Sequence, residues 1–417
     1  MLTNEHTSIA DPDLADHLRR SWARQAEVNR TTLVLNPVEN FPVMEDLGLI
    51  ASEQHGVYNS DKTRTRDQRL AADIQFAGRQ DIEHDCRLMY RAWADRLGAE
   101  DATLRLLSGL HAHIILFMAA AQPGQSVLLL PVEAGGHLSG QDIVRRLGLR
   151  VIEMVVDDEH QCVDIAATVA RCEESPPDFV LVDRSEGLVV EDFSALTELG
   201  ARSIFDASQY LSNILAGDHP NPFALGFDLL IASVHKNFPG PQKALLATRR
   251  DDPPWQQMLK GVSTYVSNMH VASTYAATLT LARGDWLADY SRRMLACAVR
   301  LEAELADRGV PMVRRPADAV PTHHLWIQEA SRTDAFETFE ALEACRVLTN
   351  HRRLPYSLGF GLRLGTAAAA RLGLVEDDVP ELADLIADIR AEGPSADRKA
   401  RVAAFSQALW ARSDDGP

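Results

Sequence analysis

From about residue 86 onward, short runs of consecutive apolar residues alternate with longer stretches whose apolar positions recur three and four apart. "CRLMYRAWADRLGA" has helical spacing and ends at Gly98; "HAHIILFMAAA" predicts a second, apolar helix that starts after Ser108-Gly109 and stops before Pro123-Gly124. "SVLLLPV", "LRVIEMVV", "DFVLVD", "RSIFDAS" and "DLLIASV" each read as a short buried strand, with helical or loop segments between them. Strands apolar on both faces and joined by helical crossovers form a parallel sheet covered on both sides, so the fold class is α/β. The texture changes after about residue 290. There a long helical run, "LADYSRRMLACAVRLEAELADRG", leads into strands at "THHLWIQ", "CRVLT" and "GLRLGT" and helices at "DAFETFEALEA" and "VPELADLIADIRAEG", the pattern of a smaller α+β unit. The predicted organisation is an N-terminal arm (1–50), a large α/β domain (51–290) and a small α+β domain (291–417). The arm consists of a helical piece followed by "TTLVLNPVENFP", and the closing "SDDGP" is expected to fray.

Composition narrows the class of protein. A chain of 417 residues exceeds one ordinary core, and its 46% hydrophobic and 24% charged content is that of a globular protein. No apolar run is long enough to span a bilayer, and "MLTNEHTSIADPDLADHL" lacks the basic start and apolar centre of a signal peptide, which predicts a cytoplasmic protein. With 42 basic against 59 acidic residues the formal charge is −17, which disfavours nucleic acid or an anionic membrane as partner. The five cysteines are far apart with no C-x-x-C pair, so they suggest neither a zinc site nor a disulfide framework.

Ligands of a parallel α/β sheet gather at the carboxyl ends of its strands. Three consecutive predicted strands end there in polar residues. "FVLVD" delivers Asp183, Arg184 and Ser185, "RSIFDAS" delivers Asp206, Ala207, Ser208 and Gln209, and "LLIASV" delivers Ser233, His235 and Lys236. A primary amine at such an edge can form a Schiff base with an aldehyde cofactor, and a carboxylate can hold a pyridine nitrogen protonated. These are the two protein groups that pyridoxal phosphate most needs. "LLSGLHAH" adds a Ser-Gly ahead of an apolar helix, where free N–H groups can receive a phosphate. Taken alone, Asp206 in D-A-S also reads as a helix cap, and it is Lys236 that tips the balance.

These motifs resemble serine hydroxymethyltransferase and related fold-type I pyridoxal phosphate enzymes, in order from about residue 33 to 370. "LNPVENFP" is similar to the family's L-x-x-S-E-N, "LLSGLHAH" to H-S-G-S-x-A-N and "AGGHLSG" to G-G-H-L-T-H-G. "FDASQYLS" is similar to D-x-A-H-x-x-G, "SVHKNFPGPQKALL" to T-T-H-K-x-x-x-G-P-R-G-G, and "GLRLGT" to G-x-R-x-G-T. The resemblance implies pyridoxal 5'-phosphate as cofactor, Lys236 as the Schiff-base lysine, and Asp206 at the pyridine nitrogen. His137 would stack on the ring, Ser185 would bond its phenolic oxygen, and Arg363 would clamp the substrate carboxylate. Ser108, Gly109, Ser233 and His235 would hold the phosphate end, with Leu110 and Gln209 at neighbouring cofactor-site positions. Tyr58 in "HGVYNSD" matches an active-site tyrosine that a neighbouring subunit supplies in the family; simple packing is the other reading of it. The resemblance therefore implies a homodimer with shared sites, acting on a small amino-acid substrate.

The departures bear on the reaction. The family's serine in the first motif is Val38, its second phosphate-site serine is Leu110, its histidine after the aspartate is Gln209, and its glutamate two residues after the tyrosine is Ser60. In the family that glutamate manages a proton on the hydroxymethyl oxygen, which serine cannot do; neighbouring Asp61 is the one titratable substitute. "YNSDKTRTRDQRLAADIQFAGR" does not reproduce the folate-facing segment, and "GVSTYVSNMH" replaces the partner-chain glycine loop. The expectation is a folate-independent enzyme cleaving a bond at Cα or Cβ by β-elimination or decarboxylation of an amino-acid conjugate such as a cysteine S-conjugate. Some tailoring enzymes of antibiotic pathways are similar at class level. The alternative is aldol or transaldol chemistry on a β-hydroxy amino acid.

Overall fold

A computed structural model describes residues 12–58, 65–71, 77 and 80–413. Its centre is a seven-stranded sheet built from β1 (Asp101–Leu106), β2 (Ser126–Leu129), β3 (Arg150–Glu153), β4 (Phe179–Val182), β5 (Arg202–Asp206), β6 (Leu229–Ser233) and β7 (Ala244–Thr248), in the order β1-β7-β6-β5-β4-β2-β3. The pairs from β3 across to β6 are parallel. β7 runs antiparallel to both β6 and β1, so β1 points the same way as the parallel set. The sheet is thus mixed and mostly parallel. The apolar pattern leaves out β1 and β7 as strands, although "ALLAT" is as apolar and as buried as β6.

Residue alternation explains the burial. Leu229 and Ile231 enter the core on one face, with Leu116 and Phe117 of the helix Gly109–Ala120 and Trp255 of the helix Pro253–Tyr265. Leu230 and Ala232 enter the core on the other face, with Leu211, Ile214 and Tyr290. A strand covered on both sides must be apolar at every position, and β6 is fully buried.

The C-terminal part carries an antiparallel sheet of β8 (Met312–Val313), β9 (His324–Gln328), β10 (Asn350–Arg353) and β11 (Phe360–Gly365), in the order β8-β9-β11-β10. One continuous helix, Gly284–Asp307, crosses the boundary that the sequence pattern puts near 290. Leu287, Tyr290 and Met294 pack in the core of the large sheet, while Leu301 and Leu305 pack in the C-terminal core.

The arm is laid onto the C-terminal unit. Leu33–Val34 pairs in parallel with Val347–Leu348, within the segment "CRVLT", and Leu33 and Leu35 bury in that core. The N–H of Gly365 donates to the Leu35 carbonyl at 2.7 Å, and a Cβ at 365 would stand 2.6 Å from the Pro37 Cβ, so glycine is what admits the arm this close. Among the described residues no helix is long and apolar enough to cross a membrane, and no cluster of histidine, cysteine or acidic residues could hold a metal ion.

Candidate active site

The carboxyl ends of β1, β4, β5 and β6 meet on one edge, and the polar residues that follow these strands converge there. Asp206, the last residue of β5, has its Oδ2 atom 2.8 Å from His113 Nε2 and accepts the Ser208 N–H on Oδ1 at 2.8 Å. Burial opposes its ionisation, but the contact with His113, the charge of Lys236 and the bond to Ser208 outweigh it. The carboxyl is held well below the usual carboxylate range. Lys236 stands three residues past the end of β6, half-buried. Burial pushes its amine down; Asp206 opposes that shift and Arg363 adds to it. Asn40 of the arm donates from Nδ2 to the Lys236 carbonyl at 2.6 Å, which ties the N-terminal motif to the lysine loop.

His137 caps the helix Leu138–Arg146, its Nδ1 accepting from the Ser139 N–H at 3.2 Å. Its ring lies 6.3 Å from that of His113, nearly perpendicular to it. Burial, helped by the nearby His113 and Lys236, pushes its pKa down to about 4, so it is neutral at physiological pH.

At the start of the helix Gly109–Ala120, Ser108 accepts the His111 N–H and the Gly109 N–H donates to Ser233 Oγ at 3.2 Å. Ser208 Oγ accepts the Ser233 N–H at 2.8 Å. Two hydroxyls and a helix N-terminus therefore close on one spot, so tightly that a Cβ on Gly109 would stand 2.5 Å from Ser233 Oγ and 3.3 Å from Ser208 Oγ. This cradle has the donor chemistry of a phosphate site. His235 is half-buried with its Nδ1 lacking a protein partner, and burial and Lys236 lower its pKa.

Arg363 reaches the same edge from β11. Leu362 and Leu364 point into the C-terminal core, so alternation turns Arg363 the other way, where its Nη1 donates to the Ser185 carbonyl at 3.3 Å. It is buried, and its Nε has no protein partner. Burial lowers its pKa to about 10 even though the Glu186 carboxylate opposes that shift. Glu186 is fully buried and lies 2.5 Å from Arg352 of β10. Val38 is half-buried beside the Pro37 contact with Gly365.

Lys236, Asp206, His137, Arg363, Ser185, Ser108, Gly109, Ser233 and His235 are thus gathered at one sheet edge. Gln209 is buried beside them, whereas Leu110 and Tyr58 are 43% and 39% exposed on this chain. Ser60, Asp61 and much of "YNSDKTRTRDQRLAADIQFAGR" lie outside the described residues. Sequence reasoning missed His113, Glu186, Arg352 and the roles of Asp183 and of Ser208, which it placed only as a residue at the end of its strand. His113 had a signal, four residues after Gly109 and one helical turn into the site. Asp183 was noted as a strand end; both its oxygens are buried without a hydrogen-bond partner, and burial beside Asp206 pushes its carboxyl well above the ordinary range. Arg352 gave none, since "NHRR" reads as a solvated strand edge.

A lysine and a carboxylate at adjacent strand ends, a phosphate-type cradle at a helix N-terminus and an arginine from a second unit define a fold-type I pyridoxal phosphate enzyme. Comparison with known proteins agrees. The family model described as serine hydroxymethyltransferase matches residues 9–386, and the chain belongs to that family. It is 29% identical over 324 residues to the serine hydroxymethyltransferase of Pyrobaculum calidifontis, covering 75% of each chain. To that of Pyrobaculum islandicum it is 27% identical over 403 residues, covering 93% of this chain and 90% of the relative. Among solved structures, L-threonine transaldolase from Pseudomonas fluorescens in its internal aldimine state superposes with a TM-score of 0.88, covering 95% of this chain and 92% of that one at 20% identity. The protein is a pyridoxal phosphate enzyme of the serine hydroxymethyltransferase-like group.

Proposed function

We propose that the protein cleaves a bond at Cα or Cβ of an amino-acid conjugate without folate, and that the departing group is a stabilised anion such as the thiolate of a cysteine S-conjugate. Bound at the sheet edge, pyridoxal phosphate supplies the electron sink that weakens bonds to Cα. Lys236 would provide the amine, Asp206, held as a carboxylate, would pair with the ring nitrogen, and His137, held neutral, would lie against the ring. Ser108, Gly109, Ser233 and His235 would take the phosphate end, and Ser185 and Gln209 would serve the ring oxygen. Arg363 holds the substrate carboxylate.

One observation carries the choice of reaction: polar positions of the family motif are occupied by Val38, Leu110 and Ser60, none of which titrates. A thiol is far more acidic than an alcohol, so a thiolate leaves without the missing glutamate whereas an alkoxide does not. Leu110, 43% exposed just after Gly109, and Leu138, 70% exposed just after His137, suit a bulky apolar substituent of the kind found in secondary metabolism. Together with Tyr58 and with Trp22, which is 80% exposed on the helix Pro12–Arg30, they are also surfaces that a second copy would cover in a homodimer.

The fold-level likeness to threonine transaldolase favours a second reading, transfer or cleavage at the Cα–Cβ bond of a β-hydroxy amino acid. Holoenzyme mixed with glycine, serine, threonine and S-substituted cysteines decides between them. Release of thiol from the conjugates, with little aldehyde from threonine, is expected. Rapid acetaldehyde release from threonine would overturn the first reading in favour of the second.

A further inference from the structure

His324, the first residue of β9, is 1% exposed and lies between two groups that dictate its protonation. On one side the N–H of Gly187 donates to its Nδ1 atom at 3.3 Å, which leaves that nitrogen without a proton. On the other side its Nε2 atom stands 3.3 Å from Gln209 Oε1. Burial, together with the neighbouring His323 and the charges of Arg363 and Arg315, keeps the ring neutral. A neutral ring with Nδ1 bare carries its proton on Nε2, and that proton can go only to an acceptor. The oxygen of the Gln209 amide must therefore face His324, which turns the NH2 group away from it.

The backbone that carries the ring is tied in place. The His324 backbone N–H donates to Thr322 Oγ1 at 3.2 Å, the Thr322 hydroxyl donates to the Gly187 carbonyl at 2.5 Å, and the Thr322 N–H donates to the Leu188 carbonyl at 3.0 Å. β9 is thereby clipped to the segment that follows Ser185. Gln209 is 2% exposed, and its Nε2 atom has no protein acceptor. A buried amide donor left unsatisfied is costly, and such groups normally have a partner.

We propose that His324 is a positioning residue: by fixing the Gln209 amide it presents the Gln209 NH2 group as a donor to the ring oxygen of bound pyridoxal phosphate. The cofactor has three polar ends. The cradle of Gly109, Ser208 and Ser233 suits the phosphate, Asp206 suits the ring nitrogen, and the ring oxygen is what remains for a donor three residues after Asp206. The inference uses the cofactor, not the reaction proposed above, so it stands or falls separately from the choice of substrate.

The test titrates apoprotein with pyridoxal phosphate and records the visible absorbance of the bound cofactor against pH, for His324→Phe, Gln209→Leu and the double variant. Each single change is expected to weaken cofactor binding about five- to tenfold, the value of one hydrogen bond. Both should shift the visible band and its titration in the same direction, and the double variant should bind no worse than either, because the two residues form one relay. His324→Gln, which can still donate to Gln209, should restore most of the affinity. If His324→Phe fails to fold, His324→Asn replaces it, since asparagine can satisfy Gly187 but is too short to reach Gln209. A His324 variant with unchanged affinity and an unchanged band, or effects that multiply in the double variant, would overturn the proposal.

Discussion

Replacing Gly109 with alanine tests the cradle directly. The added Cβ would stand 2.5 Å from Ser233 Oγ, about 1 Å inside ordinary contact, so the serine hydroxyl must leave its place. Turning Ser233 out of its rotamer costs about 0.5–1.5 kcal/mol. Losing the bond from the Gly109 N–H, now 3.2 Å long, costs about 0.5–1.5 kcal/mol more. The apoprotein should therefore lose about 1–3 kcal/mol of stability. Cofactor affinity should fall further, because a hydroxyl displaced from the cradle no longer reaches the phosphate. A hydrogen bond to a charged group contributes about 1.5–3 kcal/mol, so binding should weaken about 10- to 150-fold. The assay is titration of apoprotein with pyridoxal phosphate by absorbance, beside urea unfolding of the apoprotein. Adding Ser233→Ala to the Gly109→Ala variant removes the clash. That double variant should recover stability and not affinity. If Gly109→Ala lowered stability while leaving cofactor affinity within about twofold of wild type, the cradle would not be the phosphate site.

Other consequences follow from the charges. The depressed carboxyl of Asp206 contributes stability to the apoprotein that is present above the unfolded value near pH 4 and lost as pH falls through the lower folded value; acid unfolding of Asp206→Asn should lack this component. His137 is buried neutral, so the unfolded chain binds its proton more readily; stability should decline as pH falls from about 6.5 toward 4, and NMR of its ring should report a pKa near 4. Arg352→Ala removes the ion-pair partner of the fully buried Glu186 and leaves it only the charges of Arg363 and Arg184, so it should destabilise the apoprotein by about 3 kcal/mol, with Glu186→Gln in the same chain restoring much of the loss in urea melts. Arg363→Ala should raise KM for carboxylate-bearing substrates far more than it alters cofactor affinity. Equal effects on both would move Arg363 from the substrate to the cofactor.

The α/β class, the cofactor and the central pair of residues were legible in the order of the residues, because strand burial imposes continuous apolar runs and strand ends impose a common edge. "DLLIASVHK" and "RSIFDAS" carry that information locally, and the family motifs supply the spacing. β1 and β7 were less legible. Antiparallel insertion of β7 between β6, which just precedes it, and β1, far earlier in the chain, depends in part on a distant pairing partner, and nothing within "ALLAT" specifies its direction.

What tertiary structure decided is how residues with no sequence relation share a charge or a proton. His113 meets Asp206 because a helix turn crosses a strand end, Arg352 meets Glu186 because β10 lies beside β11, and His324 meets Gln209 because β9 is clipped to Gly187. Hydrophobic burial is additive and periodic, so it leaves its mark along the chain. Hydrogen bonds and charge pairs depend on distances of about 3 Å between groups far apart in the chain, and only the folded packing sets those distances.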